Sequence, residues 1–389
     1  MRLFMLLTLL AVTVAAAFYF SDFGKPKKKP PAVVVVKRQA VRQVTSNIVA
    51  IYAGSLYSFA LKGDGTLWAT GSNDYGQLGV PKTSTANHWI KILSDVQEAA
   101  AGYDHAIALK RDRTVWVTGR NLYGQLALKH NNDVFQWTKH MLNKKKPLEV
   151  TGNVAAGWGQ SFIVDADEGT LRASGLDCKV DLARNKDNNV NRWVELASDT
   201  RKARGGYGFI LLIKGSGLWV RGANYDGQFG KGDHNSSYEW SSVLSNVEEA
   251  AAGVGHTLAI KADGTLWVSG WNENGQLGLG GTKNKEVWVQ AMDAMKDVAC
   301  GWAHSLALGK DGVLWVTGRN DNGQLGLGST NDVHTWTRSL DNVVKIAAGK
   351  NHSLALRGDG TLWGAGSDDQ GQLGTGQNYG SSAWFQIFQ

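Results

Sequence analysis

The chain has 389 residues, with 48 glycines, 5 prolines, 16 tryptophans and 19% charged residues, a composition that excludes a disordered chain and a coiled coil. Two cysteines exclude a disulfide scaffold and a four-thiolate zinc site. The formal net charge of +7 resides entirely in residues 1–46, where Arg2, Lys25, Lys27, Lys28, Lys29, Lys37, Arg38 and Arg42 face only Asp22; the remainder is neutral and offers no bulk basic surface for nucleic acid.

Arg2 precedes an apolar or weakly polar run over residues 3–20. The run is short for a membrane span, where ~20 residues are typical, and long for the apolar part of a signal peptide, at ~7–15. Ala15, Ala16 and Ala17 offer a small-residue cleavage site, while the lysines that follow favour a cytoplasmic flank. Three readings stand: an uncleaved anchor, a cleaved signal peptide, or a buried N-terminal helix. The first two place the protein in a membrane or beyond it, in the cell envelope or outside the cell, with the side unresolved. Residues 25–31 (KPKKKPP) read as an extended charged spacer, with anionic headgroups as a further contact. The expected organisation is a signal or anchor over 1–20, a basic linker over 21–43 and one large domain over 44–389.

That domain is a single unit repeated seven times. A glycine ends a short apolar segment at Gly54, Gly102, Gly157, Gly205, Gly253, Gly301 and Gly349, at intervals of 48 residues except for 55 between Gly102 and Gly157. A second glycine closes an LWxxG-like segment at Gly71, Gly119, Gly175, Gly222, Gly270, Gly318 and Gly366. Eighteen residues after each of these stands Trp89, Trp137, Trp193, Trp240, Trp288, Trp336 or Trp384. Each unit reads as four short strands. In the sixth they cover 297–300, 304–308, 314–317 and the stretch around Trp336, with Asp311-Gly312 supplying the hairpin. Seven such units describe an all-β, seven-bladed propeller.

The phrase from Gly318 to Gly328 (GRNDNGQLGLG), with AAGKNHSLAL ending at Leu356, resembles the regulator of chromosome condensation repeat family. The resemblance covers residues 44–389 and implies a seven-bladed propeller. Unit three departs from it: Arg172 replaces the strand-three tryptophan and Val180-Asp181-Leu182-Ala183 replaces GQLG. The best-known family member is a guanine-nucleotide exchange factor, but its exchange residues lie outside the shared motif, so none is carried over.

The recurring residues read as structure. Gln77, Gln125, Gln228, Gln276, Gln324 and Gln372 are suited to pairing loop backbone. His105, His256, His304 and His352 stand at equivalent points of different blades, which favours hydrogen bonding over a metal. The periodic tryptophans are packing. Trp158, Trp271 and Trp302 fall outside both tryptophan registers and are expected to be more exposed. Together with Tyr75, Tyr103, Tyr123, Tyr207 and Tyr225 they gather in turns at one end of the blades, as protein-binding anchors on a rim. At the other end, a seven-residue insertion within 139–149 carries Lys144, Lys145 and Lys146 and reads as a solvated loop or an acidic-partner dock. Arg357-Gly358-Asp359 occupies a hairpin slot.

No nucleophile elbow, phosphate loop, paired-histidine zinc motif or dinucleotide fingerprint is present. The expectation is a monomeric, non-enzymatic protein-interaction module without cofactor, metal or nucleic acid, touching a membrane through its N-terminal segment. The alternatives are an exchange factor for a small GTPase and a secreted enzyme-inhibitor propeller.

Overall fold

The structure, a computed structural model, describes residues 47–81, 85–142, 146–176 and 189–388. The N-terminal run, the basic linker, the replaced loop of unit three at 180–183, and Lys144 and Lys145 lie outside the described residues. Among the described residues no helix is long and apolar enough to cross a membrane.

Seven four-stranded antiparallel sheets follow one another along the chain, each built from four consecutive strands. Blade 1 holds Ile48–Ala53, Tyr57–Lys62, Leu67–Ser72 and Thr85–Leu93; blade 7 holds Val343–Ala348, His352–Arg357, Leu362–Gly366 and Ser381–Phe388. This is the seven-bladed all-β propeller that the repeat predicts. The second strand of each blade is buried almost throughout, and its sequence is correspondingly apolar, as in HAIALK and HTLAIK. The outer strands are only half-buried.

The core lies between blades. Tyr57, Phe59 and Leu61 of blade 1 pack with Val96, Ala99 and Ala106 of blade 2, and the same arrangement recurs around the ring. Blade 7 closes onto blade 1 by this packing, without exchanging a strand. Phe388 sits edge-on to Trp68 at 5.7 Å and to Trp89 at 5.2 Å, and Trp89 Nε1 donates to the Leu373 carbonyl at 3.2 Å.

Each outer-strand tryptophan seals a seam. Trp137, Trp288, Trp336, Trp384 and Trp89 pack against Gly79, Gly230, Gly278, Gly326 and Gly374 of the preceding blade, where a Cβ would collide with the indole. The backbone there is also left-handed, so glycine serves both needs. These tryptophans are not the deepest residues. Apart from Trp137, at 9% exposure, all the periodic tryptophans are half-buried. Trp158, Trp271 and Trp302 fall in the same range, so the expected contrast in exposure is absent. The reason is that seams open outward to solvent, whereas leucines such as Leu314 and Leu325 fill the interior.

A second device fixes neighbouring blades. His256 meets Ser305 Oγ at 3.1 Å, His304 meets Ser353 at 3.0 Å and His352 meets Ser58 at 3.0 Å, each in the next blade. Those hydroxyls donate back to the carbonyls of Gln276, Gln324 and Gln372 at 2.7 Å. A hydroxyl has one proton, so the histidine must be the donor through Nε2–H. Nδ1 is then the bare nitrogen, and in each of these rings it is buried without a partner. Burial accordingly pushes His256 and His352 down to about 4 and His304 to about 3. His105 makes the same contact with Ser161 at 3.0 Å.

The motif glutamines act on their own loops. Gln77, Gln125, Gln228, Gln276, Gln324 and Gln372 each accept the backbone N–H two residues earlier through Oε1. In blade 3, Arg172 replaces the tryptophan and pairs with Asp165 at 3.5 Å and Glu168 at 3.6 Å. The insertion is not simply solvated: His140, Leu148 and Val150 are buried, and His140 lies against Trp193 at 5.9 Å. The Arg357-Gly358-Asp359 tripeptide is a hairpin, with Asp359 accepting the Thr361 N–H at 3.0 Å.

Two outcomes follow for stability. Deleting residues 384–389 removes Ile387 and Phe388 from the closing seam and Trp384 from the seam between blades 6 and 7, and should lower the melting temperature by more than ~10 °C; an unchanged melt would refute closure by these contacts. Folded histidines with depressed pKa leave stability intact above 6.5, the ordinary value, and drain it as pH falls from there towards 4. Relative to the wild type, H304Q/H352Q should flatten the loss across that window by up to ~1.4 kcal/mol per pH unit for each ring removed. Gln160 already occupies this register in blade 3, opposite Gly175. Denaturant melts at several pH values measure the difference.

Candidate protein-binding face

The inner strands converge on the axis at a ring of glycines. A Cβ on Gly157 would stand 2.6 Å from the Gly205 Cα, and one on Gly349 or Gly301 would stand 2.6 Å from a carbonyl of the next blade. None of these glycines needs a positive φ; what demands glycine is the ring of the residue three positions later, as at Gly54, Gly206 and Gly253, joined at Gly102, Gly301 and Gly349 by backbone of the next blade. In blade 4 the ring position belongs to Gly206 rather than to the Gly205 of the regular count. Phe209 pairs with Gly222 as His105 pairs with Gly119, and Gly206 N–H donates to Phe209 as Gly102 does to His105.

This one-residue correction aligns the residues above the ring. The position after each ring glycine is now Ser55, Tyr103, Trp158, Tyr207, Val254, Trp302 and Lys350. All seven line one cavity of about 170 Å³ at the mouth of the channel. Backbone bonds run around this mouth: Ser55 N–H donates to Tyr103 at 3.1 Å, Tyr103 to Gly157 at 3.2 Å and Lys350 to Ser55 at 3.1 Å.

Five of the eight predicted aromatics meet here. Trp158 contacts Tyr103 and Tyr123 at 5.6 Å each and Tyr207 at 4.6 Å between ring centroids. Tyr103 also reaches Trp302, from blade 6, at 6.2 Å. The expected annular rim is therefore a cap drawn together over the axis. Three aromatics stand outside it. Tyr75 lies under the Arg120 guanidinium at 4.6 Å. Trp271 is half-buried beside Gly255, and Tyr225 is 75% exposed.

Charged residues that the aromatic pattern did not single out complete the face. Arg120 pairs with Asp104 at 3.2 Å, and Ser55 Oγ donates to the same carboxylate at 3.1 Å. Burial raises the Asp104 carboxyl against these two partners. Lys350 Nζ lies 4.6 Å over the Trp302 ring. The register after the ring glycine was the signal that could have found Lys350.

Below the ring, the channel holds a cavity of about 340 Å³ lined by Tyr52, Glu98, Arg204, Asp297 and Cys300, among alanines. Burial, then the charge of Glu249, raises Asp297 to about 6; burial also raises Glu98 and pushes the Cys300 thiol well up, away from a reactive thiolate. Among the described residues no group of three His, Cys, Asp or Glu is placed to hold a metal. Chemically, the capped face can stack on apolar or cationic groups.

Because Trp158 is half-buried against three tyrosines, Trp158→Ala should cost about 1–2 kcal/mol in a denaturant melt. Trp315, half-buried in a seam, should cost a similar amount rather than that of a sealed core site. A loss above ~4 kcal/mol at Trp158 would make it core instead of binding surface.

Profiles of the regulator of chromosome condensation (RCC1) repeat match residues 48–77, 96–125, 247–276, 295–324 and 343–372, and in a second form 64–109, 263–308 and 311–356. The matches pass over blades 3 and 4, where Arg172 replaces a tryptophan and the ring glycine is displaced. A comparison with curated proteins finds no match. Among solved structures, Prp20p from Saccharomyces cerevisiae, described with its binding to Gsp1p and histones, is 21% identical at TM-score 0.70, covering 86% of this chain and 88% of that one. Yeast RCC1 (Prp20), solved with Kap60, is 18% identical at TM-score 0.71, with coverage of 94% and 90%. Human WBSCR16 is 19% identical at TM-score 0.68, with coverage of 80% and 86%. At such identities the likeness establishes the fold. With the repeat matched over five blades of a complete seven-bladed ring, the chain belongs to the regulator of chromosome condensation repeat family.

Proposed function

We propose that this protein is a non-enzymatic binding propeller that presents its aromatic cap to a protein partner. The observation that carries this reading is the convergence of Tyr103, Trp158, Tyr207 and Trp302 from four blades over the channel mouth. Seams, latches and glycine ring hold the blades at other positions, so the cap's aromatics are surplus to closure. Rigid aromatic anchors of this kind supply hot spots at low entropic cost. The protein partners named for the yeast propellers support a protein-binding role. We place the propeller at or beyond a membrane through residues 1–20, a reading that rests on the sequence.

A second reading, exchange on a small GTPase, draws on the family and on the binding of Gsp1p named for Prp20p. The two separate experimentally. Affinity capture with full-length wild type and with W158A/Y207A should recover a partner that the variant loses, by tenfold or more at a true hot spot. Equal recovery by both would refute the cap as the site. Stimulated nucleotide release from any member of a GTPase panel would favour the exchange reading.

A further inference from the structure

The turns that form this face differ from blade to blade at one register. The exposed residue at the tip of the turn before the outer strand is Asp74 in blade 1, Leu122 in blade 2, Tyr225 in blade 4, Glu273 in blade 5, Asp321 in blade 6 and Asp369 in blade 7. Among the described turns, the tips are thus apolar in blades 2 and 4 and acidic in blades 5, 6, 7 and 1. Leu122 is 50% exposed and Tyr207 49%, so these apolar groups are presented to solvent.

Three cations of the same turns are already engaged, while Lys129, Lys231 and Lys283 stand exposed. Arg120 pairs with Asp104, Arg319 pairs with Asp321, and Lys350 lies on Trp302. Two of them also show what these rings accept, since Arg120 over Tyr75 and Lys350 over Trp302 are both cation–π contacts. Asp226 and Trp271 both flank Gly255, and Glu273 acts on Asp226 as a like charge. His234, the other titratable group near Asp226, is occupied by Glu286 at 3.0 Å and the Tyr225 carbonyl at 2.8 Å. Trp271 and Tyr225, two of the three aromatics left outside the cap, thus border these carboxylates.

Resting on the reading of the cap as a protein-binding face, we propose that its occupant is a basic peptide segment. A lysine or arginine seats between Asp226 and Glu273 beside Trp271, and an apolar or aromatic residue of the same segment rests on Trp158 and Tyr207. Charge complementarity commits the face to this occupant: an acidic segment would meet the acidic tips with like charge.

Fluorescence anisotropy on the full-length protein tests this with a labelled peptide of alternating lysine and glycine around one central tryptophan. The controls replace lysine by glutamate, or tryptophan by serine. The basic tryptophan peptide should bind at least about tenfold more tightly than either control, and D226N/E273Q should weaken it by about tenfold with an unchanged melt. Equal binding of the glutamate peptide, or no effect of D226N/E273Q, overturns the inference. If D226N/E273Q is silent while W158A/Y207A abolishes binding, the cap remains the binding face and only the basic occupant fails. If both variants are silent, the reading of the cap fails as well.

Discussion

Everything in this molecule depends on how closely seven inner strands can approach one axis. At Gly157, Gly301 and Gly349 the limit is backbone touching backbone, where a Cβ would stand 2.6 Å from the next blade. The same glycine leaves room for the histidine three residues later, because the ring of His105, His256, His304 or His352 packs where that Cβ would be. From there Nε2 reaches the serine of the next blade. One small residue therefore sets the neck, the latch and the tautomer together.

Because closure is handled at the ring and along the seams, the turns above the ring are released from it. Their backbone is fixed by bonds around the mouth, while their side chains run from Ser55 through Trp158 to Lys350. A repeat protein normally varies at positions where its packing does not answer, and such positions are where a partner can be read. Four of the cap's five aromatics come from one register, yet only four of that register's seven members are aromatic. That asymmetry cannot come from the repeat, which is why it carries information about function.

The architecture was legible because it is periodic: ring glycines, GQLG loops and the tryptophan offset recur on a fixed interval. The face was half legible. Tyr207 stood out as an aromatic in a turn, but counting from Gly205 hid that it shares a register with Tyr103, Trp158 and Trp302. The count failed because Gly205-Gly206 offers two glycines and only the strand pairing of Phe209 with Gly222 selects between them. The depth of the tryptophans was misjudged for a related reason. Periodicity marks a residue as structural without saying whether it fills an interior or covers a seam. The insertion after Trp137 hid core residues, since His140 and Leu148 lack the repeat's spacing.

The charged lumen invites a functional reading that its hydrogen bonds answer. An inner strand is a sheet edge, and its outward N–H groups have no strand to pair with. Tyr52 Oη accepts the Ala99 N–H at 3.3 Å, and Glu98 accepts the Val154 N–H at 3.1 Å, each across a blade boundary. Glu249 and Asp297 accept the N–H of Ala250 and Val298 at 3.1 and 2.9 Å. Glu249 in turn carries Lys202 at 2.6 Å and Arg204 at 3.0 Å, joining blades 4 and 5. An unpaired buried N–H costs about 1–3 kcal/mol, comparable to the desolvation that raises Glu98 and Asp297; at Glu249, Arg204 and Lys202 outweigh burial and lower the carboxyl. The lumen's charges are thereby accounted for as terminators of the sheet edges. The side chains of the aromatic cap at the opposite side of the ring pair no such sheet-edge groups, and that difference supports the proposal that the cap is the binding surface.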